Sequence, residues 1–309
     1  MQLLPLNNDF VFKAVFAQNP DLLKDLLNSF PEFSGEKRIS NLKVLNPELP
    51  KKFHRDKLSI LDISAEDISG NKFLIEMQAA PQKEFPKRVL LYWSKIYSRS
   101  LTKGKQYQKL PKVYSFNFLN FSLYPEEKEY LFQFRVLETK HLFPLTEDLE
   151  MNIIELPKFL KELGDLQCEF ETWLYLLKKA EKLKGGEMKT LEKKNPKIRK
   201  AISELKTISL SRKNRELYEM RQKAEYDYNS NMYGAYEDGR KEGREEGIEL
   251  ARDALYLSIQ LTLESRFHSK GLALMSSVKK HKDLDFLKKL LEVSLKCTDL
   301  NEVKKLLKK

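Results

Sequence analysis

The hydrophobic and polar positions of residues 58–78, LSILDISAEDISGNKFLIEMQ, alternate with the period of two that defines a β-strand. In the second half, Phe73, Ile75 and Met77 fall on one face, and Lys72, Leu74, Glu76 and Gln78 on the other. In the first half, Leu61 and Ile63 share a face, and Ile60, Asp62 and Ser64 share the opposite one. Ser69-Gly70-Asn71 is turn chemistry between two β-rich runs, so the segment reads as a hairpin. With those three residues as the loop, Ile68 faces Lys72, Ser64 faces Glu76 and Asp62 faces Gln78. Directly opposed residues project from one face, so Asp62, Glu76 and Gln78 are expected to cluster. A slip of a single residue would break the cluster.

The pattern elsewhere changes period. Asn8 or Asp9 can cap a first helix carrying Phe10, Val11, Ala14 and Val15 at helical spacing, and DLLKDLLNSF (21–30) repeats that spacing. Pro31 and the Pro47–Pro50 region mark a loop. EFPKRVLLYWSKIYSRSLTKG reads as a long helix with Pro86 in its first turn and Gly104 near its end. KVYSFNFLNFSLY, YLFQFRVLET and MNIIEL read as strands, and after Pro157 the chain is mostly helical. Residues 198–228 make a long charged helix candidate, and LDFLKKLLEVSLKCTDLNEVKKLL an amphipathic helix pair. The helix–strands–helix–strands order predicts an α/β (α+β) core over residues 1–177, followed by a helical C-terminal region over 178–309.

Charge divides the chain further. The net charge is +11 over 309 residues, yet residues 1–177 are neutral overall, 178–223 carry +10, 224–265 carry −6 and 266–309 carry +7. Inside the neutral part, residues 83–112 hold nine Lys or Arg against one acid, Glu84. A basic helix directly after a carboxylate-bearing hairpin suits a polyanion held by its phosphates; a solvated lysine-rich face has the same composition. No apolar run has the length of a membrane span, so no membrane partner is expected. Cys168 and Cys297 have neither metal-ligand nor disulfide-framework spacing, and a reducing cytoplasm is the expected compartment. The four histidines lack zinc spacing, and no phosphate-binding glycine loop or nucleophile elbow is present, so no small-molecule cofactor is expected.

Two carboxylates on one strand face repel unless a cation lies between them. Mg²⁺ takes one or two carboxylates together with waters and substrate phosphates, and so held it promotes phosphodiester hydrolysis. On spacing alone, a hairpin with a merely polar solvent face has the same pattern. On the following helix Arg88, Tyr92, Lys95 and Arg99 recur along one stripe, either a phosphate-binding edge or a solvated face. Gly239, Gly243 and Gly247 lie four apart, either to let a second helix approach closely or as a flexible linker.

Several stretches, taken in order, resemble the PD-(D/E)xK nuclease superfamily, and within it the Rpn family of recombination-promoting nucleases and putative transposases. They are NNDFVFKAVF (7–16), LNSF (27–30), LDISAEDISGNKFLIEMQ (61–78), RVLLYWSKIYSRSLTKGKQYQKLPKVYSFNFLNFSLY (88–124), IIELPKF (153–159) and YEDGRKEGREEG (236–247). The resemblance implies a restriction-endonuclease-like core, a mixed sheet flanked by helices with the metal site at the hairpin. By position, Asp62 matches the first metal-binding aspartate and Glu76 the glutamate of the motif. Gln78 stands where the superfamily usually has lysine, and Leu61 where the nominal motif has proline. Glutamine is neutral and can orient a water without supplying charge, and a cation from the following helix can take over that part.

The resemblance therefore implies a Mg²⁺-dependent DNA endonuclease, with Mn²⁺ as the alternative ion, linked to recombination or mobile DNA. Asp62 and Glu76 hold the metal with Asp9 as an additional acid, and Gln78 positions the water. Lys13, Arg88, Tyr92, Lys95 and Arg99 meet the DNA, with Lys57 a weaker phosphate contact. A homodimer through the C-terminal helices is expected from the glycine stripe. The rival reading is a nuclease-derived binding or assembly protein that has kept the fold without the cleavage.

Overall fold

The computed structural model describes residues 2–45, 48–49, 59–60, 62–81, 84–101 and 106–308. Lys57 and Gly104 lie outside these described residues. In chain order the elements are α1 (Asp9–Phe16), α2 (Pro20–Asn28), β1 (Leu42–Leu45), β2 (Glu48–Leu49), β3 (Ser59–Ile60), β4 (Ile63–Asp67), β5 (Lys72–Gln78), α3 (Phe85–Ser100), β6 (Val113–Leu119), β7 (Leu131–Phe134), β8 (Leu149–Glu155) and α4 (Glu169–Lys179). They continue with α5 (Gly185–Lys194), α6 (Pro196–Leu210), α7 (Arg212–Leu272), α8 (Met275–Val278), α9 (Leu284–Lys296) and α10 (Leu300–Leu307). The mixed α/β sheet flanked by helices, and the helical C-terminal region, are both present. No helix among the described residues is long and apolar enough to cross a membrane.

Six strands form one sheet in the order β1-β4-β5-β6-β8-β7. β4 is antiparallel to β1 and β5, β5-β6-β8 are parallel, and β7 returns antiparallel to β8. β2 and β3 form a separate two-residue ladder. β1 was not foreseen, because four residues after a proline-marked loop carry too little alternation to stand out.

The two sheet faces are covered differently. On one, Phe12, Phe16, Phe30, Phe73, Phe116, Phe118 and Trp173 join α1, α2, α4 and α6 in one core. Stacked and edge-on ring pairs run through it, such as Phe30 on Phe116 at 4.7 Å. On the other, α3 lies over β5, β6 and β8 through Phe85, Val89 and Ile96. Trp93 Nε1 donates to the Val113 carbonyl at 3.0 Å, and Tyr97 donates its hydroxyl to Asp148 at 2.7 Å, which fix the roll of α3 about its axis.

Two compact units are present, Met1–Met220 and Arg221–Lys309. The first extends past the sequence-based boundary at 177, because α6 buries Ile198, Ala201, Ile202 and Leu205 in the main core. Polar ties reinforce this packing. Asp25 Oδ2 accepts from both Trp173 and Asn195, and Asp21 pairs with Lys197 and Lys200. Those lysine partners hold the Asp21 carboxyl at about 2 although burial pushes it up. Part of the +10 charge of residues 178–223 is therefore engaged in holding the first unit together.

The single helix expected over 198–228 is broken at Ser211, which is extended (ψ 116°) and accepts from Asn214 N–H through its hydroxyl. In the second unit, Ile259 and Leu263 of α7 pack with Met275, Val278, Leu287, Leu290 and Val303 into a small helical core. The expected helix pair of the tail is α9 and α10.

We expect Ile202→Ala to cost about 2–4 kcal/mol, the usual penalty for emptying a fully buried aliphatic site. Leu210→Ala, at the 70% exposed end of the same helix, is expected to cost under about 0.5 kcal/mol. Urea denaturation of the full chain measures both; equal costs would separate α6 from the core.

Candidate active site

The hairpin that carries the carboxylates is set by its turn. Asp67 Oδ1 accepts from the Ser69 and Asn71 N–H groups, each at 2.9 Å, and Asp67 Oδ2 accepts from the Asn71 side chain at 2.8 Å. Gly70 takes φ +85°, a left-handed conformation that a side chain would disfavour. The strands then pair Glu66 with Lys72, Ser64 with Leu74 and Ile63 with Ile75. The expected pairing of Ser64 with Glu76 and of Asp62 with Gln78 is thus displaced by two residues. The cause is at the turn, where Asp67 N–H donates to the Asn71 carbonyl at 3.1 Å and the Asp67 side chain holds Asn71, so the three-residue loop is Ile68-Ser69-Gly70 rather than Ser69-Gly70-Asn71. A two-residue displacement preserves the faces, so Asp62 now lies across from Glu76 and the cluster survives.

Each polar side chain of the cluster has a defined partner. Asp62, just before β4, accepts the Met77 N–H through Oδ2 at 2.7 Å. Glu76 is 7% exposed on the α3 side of β5, and its Oε2 lies 3.4 Å from Arg88 Nη2. The same Arg88 nitrogen donates to Gln78 Oε1 at 2.6 Å, while Gln78 Nε2 donates to the Ala80 carbonyl at 3.0 Å. Arg88 also rests over the rings of Phe85 and Tyr92, 5.2 and 5.9 Å from their centroids. The Gln78 amide oxygen thus holds Arg88. The cation that a lysine at position 78 would supply comes from the first turn of α3.

Burial dominates the electrostatics. Desolvation pushes the Glu76 carboxyl up to about 7; Arg88 opposes the rise and Asp62 adds to it. Asp62 is pushed up to about 6 by burial, against the Met77 hydrogen bond, with Asp9 raising it and Lys13 and Arg88 lowering it. Tyr92 is raised by burial and then by Glu76. A half-buried and a buried carboxylate, both driven toward their neutral forms, are short of positive charge. Hard oxygen ligands in that condition fit a divalent cation, which prefers one or two carboxylates plus waters.

The remaining expected residues are spread around this centre. Asp9 opens α1, but Asn8 is its cap, accepting from the Phe10 and Val11 N–H groups. Asp9 and Lys13 act on Asp62 through their charges, yet no three His, Cys, Asp or Glu side chains among the described residues gather into an ion site. Lys95 and Arg99 continue the Arg88–Tyr92 stripe two and three turns along α3, and no hydrogen bond or ion pair is seen from either to Asp62 or Glu76. Arg99 buries its Nη1 with no hydrogen-bond partner among the described residues. Beside the cluster, the Asn7 side chain donates to the Asn120 side-chain oxygen at 3.0 Å. Asn120 follows β6 and donates its N–H to the Gln78 carbonyl, at the carboxyl ends of the parallel strands.

A family model for PD-(D/E)XK nuclease family transposases matches residues 6–235. The chain belongs to this family. Comparisons with curated proteins and with solved structures gave no match. The family match covers the whole carboxylate hairpin, α3 and the rest of the sheet, and it ends within α7. A separate cavity of about 270 Å³, lined in part by Glu32, Lys37, Lys112, Arg135, Glu147 and Glu150, contains none of the clustered residues. Its charges are matched internally, with Arg135 bridging Glu32 and Glu150 and Lys112 on Glu147, so it offers no surplus cation to a phosphate.

A carboxyl raised on folding stabilises the protein below its unfolded value and loses that contribution as pH rises through its folded value. Glu76 rises from 4.5 to about 7, so the parent should weaken relative to Glu76→Gln between those two pH values. In EDTA, the advantage of Glu76→Gln should grow from near zero at acid pH to about 1–3 kcal/mol at pH 8. Urea denaturation across that range tests the sign, and a constant difference would show that Glu76 is not short of counter-charge.

Proposed function

We propose that this nuclease-family chain is a Mg²⁺-dependent DNA endonuclease, with Mn²⁺ also suited to the site. The observation that carries the reading is the pair of half-buried Asp62 and buried Glu76 on one sheet face, with the Arg88 guanidinium fixed beside it by Gln78. Asp62 and Glu76 would hold the ion in their deprotonated forms. A bound divalent cation supplies charge that polarises a phosphate and makes a water more acidic. Arg88 offers its charge to the scissile phosphate, and Gln78 positions Arg88 rather than reacting itself. Phe85 and Tyr92 keep the guanidinium in place and shield it from water. Lys13, Lys95 and Arg99 extend the cationic surface along the DNA backbone, and Asp9 tunes Asp62 from the start of α1. Two free cysteines, Cys168 exposed and Cys297 buried, suit a reducing cytoplasm. The family description supports a part in transposition-type DNA rearrangement.

Lysine is absent from position 78, which favours the rival reading of a binding protein without cleavage. Nicking of supercoiled plasmid in Mg²⁺, Mn²⁺, Ca²⁺ and EDTA separates the two. Asp62→Asn and Glu76→Gln should each reduce Mg²⁺-dependent nicking by roughly 10²-fold or more while the fold is kept. Full activity in either folded variant would remove these residues from the site, and no nicking by the parent in any metal would support the rival.

The division of labour between Gln78 and Arg88 has its own test. Arg88→Gln should lose activity, since no cation remains beside Glu76. Gln78→Lys alone places a second cation against Arg88 and should gain little. The double variant Gln78→Lys/Arg88→Gln restores one cation on β5 and should recover activity over Arg88→Gln. A double variant no better than Arg88→Gln would show that the charge must come from α3.

A further inference from the structure

The second unit carries a basic surface that its own fold does not neutralise. Residues 266–309 have a net charge of +7, and the family match stops at residue 235, before the helical core of this unit. Within the unit α9 runs alongside α7 in the same direction. Arg252 Nε donates to the Lys282 carbonyl at 3.1 Å and the Tyr256 hydroxyl to the His281 carbonyl at 2.7 Å. Further along, Arg266 donates to the carbonyls of Leu295 and Cys297, each at 2.7 Å. The connection from α8 to α9, Lys279-Lys280-His281-Lys282, is therefore held by its backbone. The N–H groups of Lys279, Lys280 and His281 return to the carbonyls of Met275, Ser277 and Val278. Lys279, Lys280 and Lys282 are exposed, and their ammonium groups make no hydrogen bond or ion pair among the described residues. α10 packs back on the same core through Val303, Leu306 and Leu307 after a three-residue connection, the geometry of an antiparallel helix hairpin. That returns Lys304, Lys305 and Lys308, all exposed, toward the end where α9 begins. The acids of this end are partly committed. Asp283 caps α9 by accepting from the Phe286 N–H at 2.7 Å, and Asp285 takes Lys288 at 3.3 Å, which leaves Glu249 and Asp253 of α7.

We propose that the 279–282 turn is a docking surface for the phosphate backbone of duplex DNA, which holds substrate on the chain and takes no part in cleavage. It rests on the DNA substrate of the reading above and not on the metal chemistry. Three ammonium groups within four residues are point charges on flexible stems, and such groups meet phosphates without reading bases. The backbone under them is already fixed by Arg252 and Tyr256, so little order is lost when they engage. A duplex fits better than a single strand because of the rings. Unpaired strands are held by bases stacked on open aromatic side chains. Here the His281 ring is stacked on Phe286, with centroids 4.3 Å apart, and Tyr256 is half-buried with its hydroxyl on the turn carbonyls. Neither ring is open to a base. Tethering of this kind raises the local concentration of duplex for a site elsewhere on the same chain.

The test is duplex binding by the full chain in EDTA, where cleavage plays no part, read from the anisotropy of a labelled duplex over a series of salt concentrations. The triple variant Lys279→Gln/Lys280→Gln/Lys282→Gln should weaken binding by about tenfold or more at low salt. It should also flatten the slope of log K against log salt by about 2–3, the loss of about three phosphate contacts. The control Lys128→Gln/Lys140→Gln/Lys193→Gln removes the same charge from exposed positions of the first unit and should change the slope by less than about 1. Both variants should melt with the parent by circular dichroism, because none of the six ammonium groups has a partner among the described residues. Equal losses in the two variants, or an unchanged slope in the first, would overturn the proposal. So would a single strand bound as tightly as the duplex, or phosphatidylserine vesicles captured at a salt concentration where the duplex is not. A parent that binds with the expected slopes and nicks no plasmid in any metal would uphold this surface and remove the endonuclease reading alone.

Discussion

Arg88 reaches from the first turn of α3 to both Glu76 and Gln78 with a single guanidinium nitrogen. The site depends on that reach. Two carboxylates on one sheet face, Asp62 half-buried and Glu76 buried, would repel each other and be driven toward their neutral forms, and both are in fact raised. A fixed cation limits the rise without cancelling it, which leaves room for a divalent ion. The stacking of α3 on β5, β6 and β8, through Phe85, Val89, Trp93 and Ile96, keeps the guanidinium at that spot. The covering of one sheet face by a basic helix thus sets the electrostatics of the carboxylates as well as the core.

The hairpin shows how a local error in pairing can leave the clustered side chains on one face. Asp67 closes the turn with three hydrogen bonds and moves the register by two residues from the simplest loop. Because side chains alternate with a period of two, that change keeps Asp62, Glu76 and Gln78 on the same face. It also brings the Asp62 carboxylate onto the Met77 N–H, where it accepts a hydrogen bond at the end of the ladder.

Charge along the chain is not a map of binding surface. The stretch 178–223 is strongly basic, yet Lys197 and Lys200 are held by Asp21, and Lys178 bonds to the carbonyls of Pro157 and Phe159. These contacts bind α4 and α6 to the sheet domain. The short basic run of α3 is smaller in net charge but lies directly beside the carboxylates, and position rather than quantity gives it the stronger claim to the phosphates.

The alternation in residues 58–78 was enough to set Asp62, Glu76 and Gln78 on a common face, because strand side chains can point only two ways. Helical spacing likewise revealed the Arg88–Tyr92–Lys95–Arg99 stripe, and ordered motifs pointed to the nuclease family. Three matters were out of reach of local pattern. The four-residue edge strand β1 exists because β4 offers it a partner. The first unit runs to Met220 because α6 finds the aromatic core formed by segments 170 residues earlier, and no local feature at 177 or 220 encodes that contact. The occupation of Gln78 by Arg88 depends on how α3 rolls onto the sheet, which Trp93 and Tyr97 decide through bonds to Val113 and Asp148. Periodicity determines which way a side chain faces; only the packed chain determines what it meets there.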